Sequence, residues 1–345
     1  MKDQYGREIE YMRISVTDRC NLRCRYCMPE GGISTIPMEE LLSYEEIETV
    51  CRIAADMGIR KIRLTGGEPL VRLEVAKLVR MLRQIDGIDS VTMTTNGILL
   101  KQHLDELLEA GLSGVNISLD TLDPERFRNI TGVDALDQVL DSIHACLDRG
   151  LQTKVNTVLI PDDFFAPREA FCKAGECPER DRGAETAAEN WWSMLELART
   201  LPVDLRFIEL MPIGEGRQYY QISGADALQM LKDRYPELRE DHTVHGSGPA
   251  VYYKIPGFAG TVGMIQALHG KFCAGCNRIR MSATGKIKPC LCYADTFDLK
   301  PALRRREKEE VRRILSEAIY RKPSSHCFEE PDEISEDKRM VSIGG

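Results

Sequence analysis

The first two thirds of the chain alternate short β-branched and aliphatic runs with longer stretches of helical periodicity. The β-type runs are Met12–Val16, Lys61–Thr65, Val91–Thr94, Val115–Leu119, Lys154–Ile160 and Leu205–Leu210. Between them the apolar spacing predicts amphipathic helices over Tyr44–Met57, Glu74–Ile85, Leu104–Ala110, Leu136–Leu147 and Ser193–Leu201. Gly58, Gly111 and Gly150 follow three of these stretches, as helix C-caps do. Six strand–helix alternations imply an α/β fold with a parallel sheet and right-handed crossovers. Whether such a sheet stays open or curls toward a barrel, ligands bind at the C-terminal ends of its strands.

The segments after the strands carry chemistry suited to that rim. They are Thr17-Asp-Arg-Cys20, Gly66-Gly-Glu-Pro69, Thr95-Asn-Gly97, Asp120 after Asn116-Ile-Ser118, and Met211-Pro212. Plain turns use the same residue types, but they do not gather three cysteines in one loop. The last third reads differently. After a connecting region it runs Cys273-Ala-Gly-Cys276-Asn-Arg-Ile-Arg280, then a charged helix around Arg304–Ala318, and ends in Gly344-Gly345. The expected division is residues 1–225 and 226–345, with an atypical insertion at about 161–192.

Composition narrows the field. A chain of 345 residues with 43% hydrophobic and 29% charged residues is an ordinary soluble globular protein. Its net charge of −8 argues against a general nucleic-acid binder, but leaves room for a local basic pocket. No apolar run approaches the roughly 18 residues of a membrane span, and the start, MKDQYGREIEYM, has no apolar signal core. The expected address is the cytoplasm, without nucleic-acid or membrane partners. The 12 cysteines change the picture. In a reducing compartment, clustered cysteines are ligands or catalysts more often than disulfides.

Cys20, Cys24 and Cys27 place three thiolates within eight residues. A cubane iron–sulfur cluster has four iron sites, so this loop leaves one iron open to a small chelating molecule. Zinc is the competing reading, although it usually takes a fourth local Cys or His and favours x2 spacing. Three free buried cysteines are another. Tyr26 before the last Cys, and Gly66-Gly-Glu-Pro69 after the next strand, make the arrangement resemble the radical S-adenosylmethionine superfamily. The resemblance implies that the cofactor's amino and carboxylate groups chelate the open iron, and that the Gly-Gly-Glu-Pro loop holds the amino group. It also implies reductive cleavage to methionine and a 5′-deoxyadenosyl radical, with the protein supplying orientation and dryness.

Cys273-x2-Cys276-x13-Cys290 is a second set of three. On spacing alone zinc is an equal rival here, with Cys292 or His269 as fourth ligand. If Asn277–Met281 is a strand, Arg278 and Arg280 share one face and Ile279 takes the other. Two forked guanidiniums beside a metal site suit a polyphosphate or a carboxylate, and an exposed basic strand is the bland alternative.

Further motifs are Ser15-Val-Thr-Asp-Arg-Cys20, Thr94-Thr-Asn-Gly97, Asn116-Ile-Ser-Leu-Asp120, Arg206-Phe-Ile-Glu-Leu-Met211, Phe272-Cys-x2-Cys-Asn-Arg-Ile-Arg280 and the terminal Gly-Gly. With these the chain resembles the GTP 3′,8-cyclase family of molybdenum cofactor biosynthesis, from about residue 5 to 160 and 193 to 345. The resemblance implies an incomplete parallel (β/α)6 TIM-like barrel and a C-terminal region carrying a second Fe–S cluster. It implies a lyase that converts GTP to (8S)-3′,8-cyclo-7,8-dihydroguanosine 5′-triphosphate, using S-adenosylmethionine and two [4Fe-4S] clusters. Cys20, Cys24 and Cys27 would hold the first cluster, and Cys273, Cys276 and Cys290 the second, which the guanine base approaches. Tyr26, Gly67, Ser118 and Met211 match positions for S-adenosylmethionine. Arg13, Arg63, Thr94, Lys154, Arg278 and Arg280 match positions for GTP. Cys20, Cys24, Cys27, Arg278, Arg280, Gly344 and Gly345 form the implied catalytic set, the last two by reaching into the site. An electron donor and the next enzyme of the pterin pathway are the implied partners, and a homodimer is compatible.

Bland readings stand beside these. Lys154 and Arg206 could be strand-surface charges, Tyr26 and Met211 core side chains, Glu68 a cap of the following turn, and Cys51 and Cys146 core residues. A peptide-modifying maturase of the same superfamily and a non-enzymatic Fe–S or zinc protein are the alternative functions. The sequence departs from the family at Pro161-Asp-Asp-Phe-Phe-Ala through Cys172-x4-Cys177 to Trp191-Trp192, read as a lid, a docking insertion, a mobile acidic loop or a third metal site. Cys292 is a second departure. As a ligand it would close the open iron of the second cluster.

Overall fold

A computed structural model describes residues 1–29, 31–160, 181–219, 222–270, 272–294, 297–328, 330, 334–336 and 339–343. Strands β1 (Tyr11–Ser15), β2 (Lys61–Thr65), β3 (Ser90–Thr95), β4 (Gly114–Ser118), β5 (Thr153–Leu159) and β6 (Asp204–Glu209) pair side by side in chain order, all parallel. The connecting helices are α1 (Tyr44–Asp56), α2 (Val75–Arg83), α3 (Leu100–Glu109), α4 (Pro124–Thr131) with α5 (Leu136–Asp148), and α6 (Asp181–Thr200). Local signals explain their ends. Ser43 and Glu46 form a reciprocal capping box at α1. At α4, Asp123 caps the start, Pro124 takes the first helical position and Gly132 closes the end at φ 76°.

The C-terminal third adds α7 (Gly224–Arg234), β7 (Arg239–Asp241), β8 (Val251–Lys254), β9 (Thr261–Ile265), β10 (Arg278–Met281), β11 (Lys286–Lys288) and β12 (Phe297–Asp298). It continues with α8 (Lys300–Arg304), α9 (Lys308–Tyr320) and α10 (Met340–Ile343). Two of its strands extend the expected six-stranded core: β10 lies parallel beside β1, and β9 parallel beside β6. The full order is β12-β11-β10-β1-β2-β3-β4-β5-β6-β9-β8-β7, so among the described residues the barrel does not close. An incomplete α/β barrel is the observed architecture.

Period-two alternation along these strands sorts the side chains. Met12, Ile14, Ile62, Leu64, Val91 and Met93 are buried in one core with the apolar faces of the helices. The alternate positions, including Arg13, Arg63, Thr92 and Asn116, form the opposite, polar face. A sheet with its oily side outward against helices and its polar side inward leaves the barrel interior for ligand.

Several expectations change. The strand expected over Lys61–Thr65 is observed with the same bounds and Val91–Thr94 gains a residue at each end, while the other four are displaced by one residue, as strand ends commonly are. The polar helix α4 was not foreseen. Helix α6 begins at Asp181 rather than Ser193, so Trp191 and Trp192 are helical; Trp191 is buried with its ring 6.4 Å from that of Phe207. The helix expected around Arg304–Ala318 is two, α8 and α9. Cys51 and Cys146 are core residues, fully buried. The segment 161–180, with Cys172 and Cys177, lies outside the described residues, as do Gly344 and Gly345. Among the described residues no helix is long and apolar enough to cross a membrane.

Candidate active site

The first cysteine group occupies the loop at the C-terminal end of β1. A tight turn, with the Cys27 N–H donating to the Cys24 carbonyl at 2.9 Å, folds the loop back on itself. The Leu22 N–H donates to Cys20 Sγ at 3.4 Å, and Asn96 Nδ2 reaches the same sulfur at 3.9 Å. Burial raises all three thiols: Cys24 well above its ordinary value, with Cys27, Asp120 and Cys20 adding to it, and Cys27 to about 12. The Val341 N–H of α10 bonds Cys27 and partly opposes that rise. Three half-buried thiols this close resist ionising together, and binding to cationic iron removes that conflict. Their donor chemistry fits an iron–sulfur cluster with one open iron.

The Gly-Gly-Glu-Pro loop after β2 locks this loop in place. The Gly67 N–H donates to the Thr17 carbonyl at 2.8 Å and the Glu68 N–H to the Arg19 carbonyl at 2.8 Å. A Cβ on Gly66 would lie 2.8 Å from the Thr17 carbonyl oxygen, and one on Gly67 would strike the Arg19 carbonyl, so only glycine allows the approach. Glu68, 1% exposed, accepts from the Leu70 N–H at 3.0 Å, the Thr95 hydroxyl at 2.8 Å and the Asn96 N–H at 2.7 Å. It caps the next turn, as the bland reading held, and also ties the β2 loop to the β3 loop. Burial nonetheless pushes its carboxyl up to about 7. Tyr26 donates to Asp120 Oδ2 at 2.7 Å and packs on Ile130, Ile160 and Leu210. Cys24, Tyr26, Asn96, Ser118 and Asp120 line one narrow cleft.

The polar face of the sheet supplies the cations. Strand register sets Arg280, Arg13 and Arg63 side by side on β10, β1 and β2. Adjacent strands are only about 4.8 Å apart, so like charges in such a row repel. Arg13 falls well below the usual guanidinium value through burial first and the charge of Arg280 next. Arg280 comes down to about 10 through burial and then Arg278. Arg206, also depressed chiefly by burial, donates to Asn156 Oδ1 at 2.9 and 2.6 Å. Lys154 is lowered mainly by burial despite its ion pair with Asp204. Asp204 also meets His245 Nδ1 at 2.9 Å, and His245 stacks on Tyr252 with 4.0 Å between ring centroids. A ligand carrying several negative charges relieves the repulsion in this face.

The second cysteine group begins just before β10. The antiparallel hairpin of β10 and β11 pairs Arg280 with Lys288 and returns Cys290 to Cys273 and Cys276, which accounts for the x13 gap. Burial works against the Cys276 thiolate, but Lys322 and Arg278 more than offset it, and the thiol is lowered. Cys290 is lowered too, with its hydrogen bond to Cys292 leading. These three sulfurs also fit a cluster. Arg278 and Arg280 share a face while Ile279 is fully buried on the other, as the strand reading required.

The expected residues thus fall into two thiol sites with a cationic face between them. Cys20, Cys24, Cys27, Tyr26, Gly67 and Ser118 gather at the first. Arg13, Arg63, Thr94, Lys154, Arg278 and Arg280 share the polar face, where Asn116 Nδ2 reaches Thr94 Oγ1 at 3.4 Å. Met211, partly buried, lies against the apolar cluster of Ile213, Leu268 and Cys292. Sequence reasoning missed Asn156, Asp204, His245 and Tyr252, and quoted Arg206 in a family motif without giving it a role in the site. Asn156 and Arg206 lie two residues beyond Lys154 and Asp204 on their strands, so strict alternation would have placed them on the same face. His245 and Tyr252 come from the region read as a plain connection, which carried no such signal.

Comparison with known proteins adds to this geometry. Residues 14–174 match the Radical SAM superfamily, and residues 203–328 match Molybdenum Cofactor Synthesis C. The chain is 42% identical over 347 aligned residues to a GTP 3′,8-cyclase of Clostridium perfringens (strain SM101 / Type A), covering 100% of both chains. It is 41% identical to a GTP 3′,8-cyclase of Desulforamulus reducens, again over 100% of both. Among solved structures it is similar in fold to Streptococcus suis SuiB bound to S-adenosylmethionine, with TM-score 0.57 at 16% identity. That match covers 86% of this chain and 65% of SuiB, slightly under two thirds of the larger protein.

Proposed function

The chain belongs to the GTP 3′,8-cyclase family of the radical S-adenosylmethionine superfamily, and from that premise we propose how its residues perform the reaction. It is an enzyme that joins C3′ of the GTP ribose to C8 of the guanine, an early step of molybdenum cofactor biosynthesis. Two [4Fe-4S] clusters and S-adenosylmethionine supply the one-electron chemistry when bound.

Cys20, Cys24 and Cys27 hold the first cluster, and Cys273, Cys276 and Cys290 the second. The Gly66–Pro69 loop, packed on the first cysteine loop, would hold the cofactor's amino group, while the Glu68 carboxylate ties the β2 loop to the β3 loop. Tyr26 and Ser118 line its cleft. Arg13, Arg63, Arg278 and Arg280, with Arg206 and Lys154 across the barrel, take up the charge of the triphosphate and orient the ribose, while Thr94 adds a hydroxyl. Gly344 and Gly345 follow Ile343 in the sequence and would reach the site, since Val341 of α10 lies against Cys27. The row Arg280–Arg13–Arg63 carries this reading, because β1 leads into the first cysteine loop and β10 leads out of the second. A polyanion on that row lies between the two sites.

Arg280→Ala should weaken GTP binding about 10- to 100-fold, the worth of about 1.5–3 kcal/mol for a charge-assisted contact. GTP-independent cleavage of S-adenosylmethionine should persist in the same variant. Equilibrium dialysis with labelled GTP checks the first claim and 5′-deoxyadenosine formation the second. Unchanged affinity in both Arg280→Ala and Arg13→Ala would remove the row from the substrate site. As a cyclase the protein also needs a one-electron donor, draws on the cytoplasmic GTP pool and hands its product to the next enzyme of the pterin pathway. A homodimer is compatible with this role, and sedimentation of the pure protein decides it.

A further inference from the structure

Each sulfur of the second cysteine group has a hydrogen-bond donor of a different kind. The His326 N–H meets Cys273 Sγ at 3.4 Å, Arg278 Nη2 meets Cys276 Sγ at 3.9 Å, and the Cys292 thiol meets Cys290 Sγ at 3.5 Å. Either sulfur of the last pair could donate while both carry protons. Once Cys290 binds iron as a thiolate it has no proton, and Cys292 must be the donor. The surroundings hold it in that role. Cys292 Sγ accepts the Cys327 N–H at 3.4 Å, and the Glu336 N–H fixes the Cys292 carbonyl at 3.2 Å. The side chain is fully buried among Ile213, Leu268, Phe328 and Ile334. To bind iron itself, Cys292 would have to leave this apolar setting and give up both backbone anchors.

We propose that the Cys292 thiol is a hydrogen-bond donor to the iron-ligating sulfur of Cys290, and that it raises the reduction potential of the second cluster without binding iron. The inference rests on the reading that Cys273, Cys276 and Cys290 hold that cluster. A donor aimed at a ligand sulfur stabilises the more negative, reduced state, so it draws the potential upward. Cys292 is then a positioning and tuning residue, and the second cluster keeps an open iron for substrate.

The test uses the reconstituted full-length chain, with iron and sulfide analysis and a redox titration followed by electron paramagnetic resonance. Cys292→Ala should keep the wild-type iron and sulfide content while the midpoint of the second cluster moves to a more negative potential. The first cluster's midpoint should stay in place. Cys292→Ser keeps a donor and should restore most of the shift, and Cys292→Val, which fills the space without donating, should behave like Ala. An unmoved midpoint in both Ala and Val variants overturns the proposal. Loss of the second cluster's iron from Cys292→Ala together with its retention in Cys292→Ser overturns it too, since Cys292 would then be a ligand. Cys290→Ala separates the underlying reading: full retention of both clusters there would remove the premise, whatever the Cys292 variants do.

Discussion

Cys24→Ala should abolish S-adenosylmethionine cleavage and halve the iron content, from about eight to about four per chain as loss of one cubane requires. The Cys24 thiol is held well above its ordinary value, by burial first and then by Cys27, Asp120 and Cys20, and binding to a metal stabilises its thiolate. Without it the cluster is left with two local sulfurs. Turnover should fall below about a thousandth of wild type, because the one-electron chemistry carries the bulk of an enzyme-scale acceleration. GTP binding should survive, since Arg13, Arg63 and Arg280 sit on strands held by backbone pairing. Iron and sulfide assays, 5′-deoxyadenosine quantification and dialysis with GTP read the three parts separately. Full iron retention with undiminished cleavage would take Cys24 out of the first site.

Glu336→Ala should be the most destabilising single change below the second site. Glu336 pairs with Lys288, both side chains 1% exposed, and Lys288 also donates to the Tyr293 carbonyl at 2.6 Å. Removing the carboxylate strands an ammonium in the interior, a loss of about 3–5 kcal/mol. The urea midpoint should drop accordingly, and the second cluster should become easier to extract, because the same stretch of chain anchors Cys292. Lys288→Met combined with Glu336→Leu should recover most of the loss, since paired apolar replacements spare both desolvation costs. Equal midpoints for Glu336→Ala and wild type would mean the pair contributes nothing.

Much of this was legible in the residues, for identifiable reasons. Strands such as Lys61–Thr65 announce themselves because a buried parallel strand needs β-branched and aliphatic residues on its helix-facing side. The rim motifs followed from where such sheets bind ligands, and the two glycines at 66 and 67 had a steric cause that the structure makes explicit. Helix α4 was hidden because its eight residues, PERFRNIT, are mostly polar, although Asp123, Pro124 and Gly132 marked both ends. Helix α6 was started late because its first turns, DRGAETAAEN, bear no apolar stripe. The Lys154–Asp204–His245 arrangement was out of reach for a different reason. It joins residues from β5, β6 and the loop after β7, and long-range pairing leaves no local trace.

The pairing of β10 with β1 has a consequence for how the molecule is made. Asn277 and Glu10, which hydrogen-bond at 3.2 Å beside that seam, are 267 residues apart in the chain. During synthesis β1 therefore emerges early and waits with one edge bare until about four fifths of the polypeptide, through Met281 of 345 residues, has left the ribosome. Exposed parallel edges are sticky and slow to find their mates. The cation row is completed only when the last quarter of the chain arrives, so a prematurely terminated product could own the first cysteine loop and still lack a nucleotide pocket. The substrate site is thus a late checkpoint on completeness of the chain.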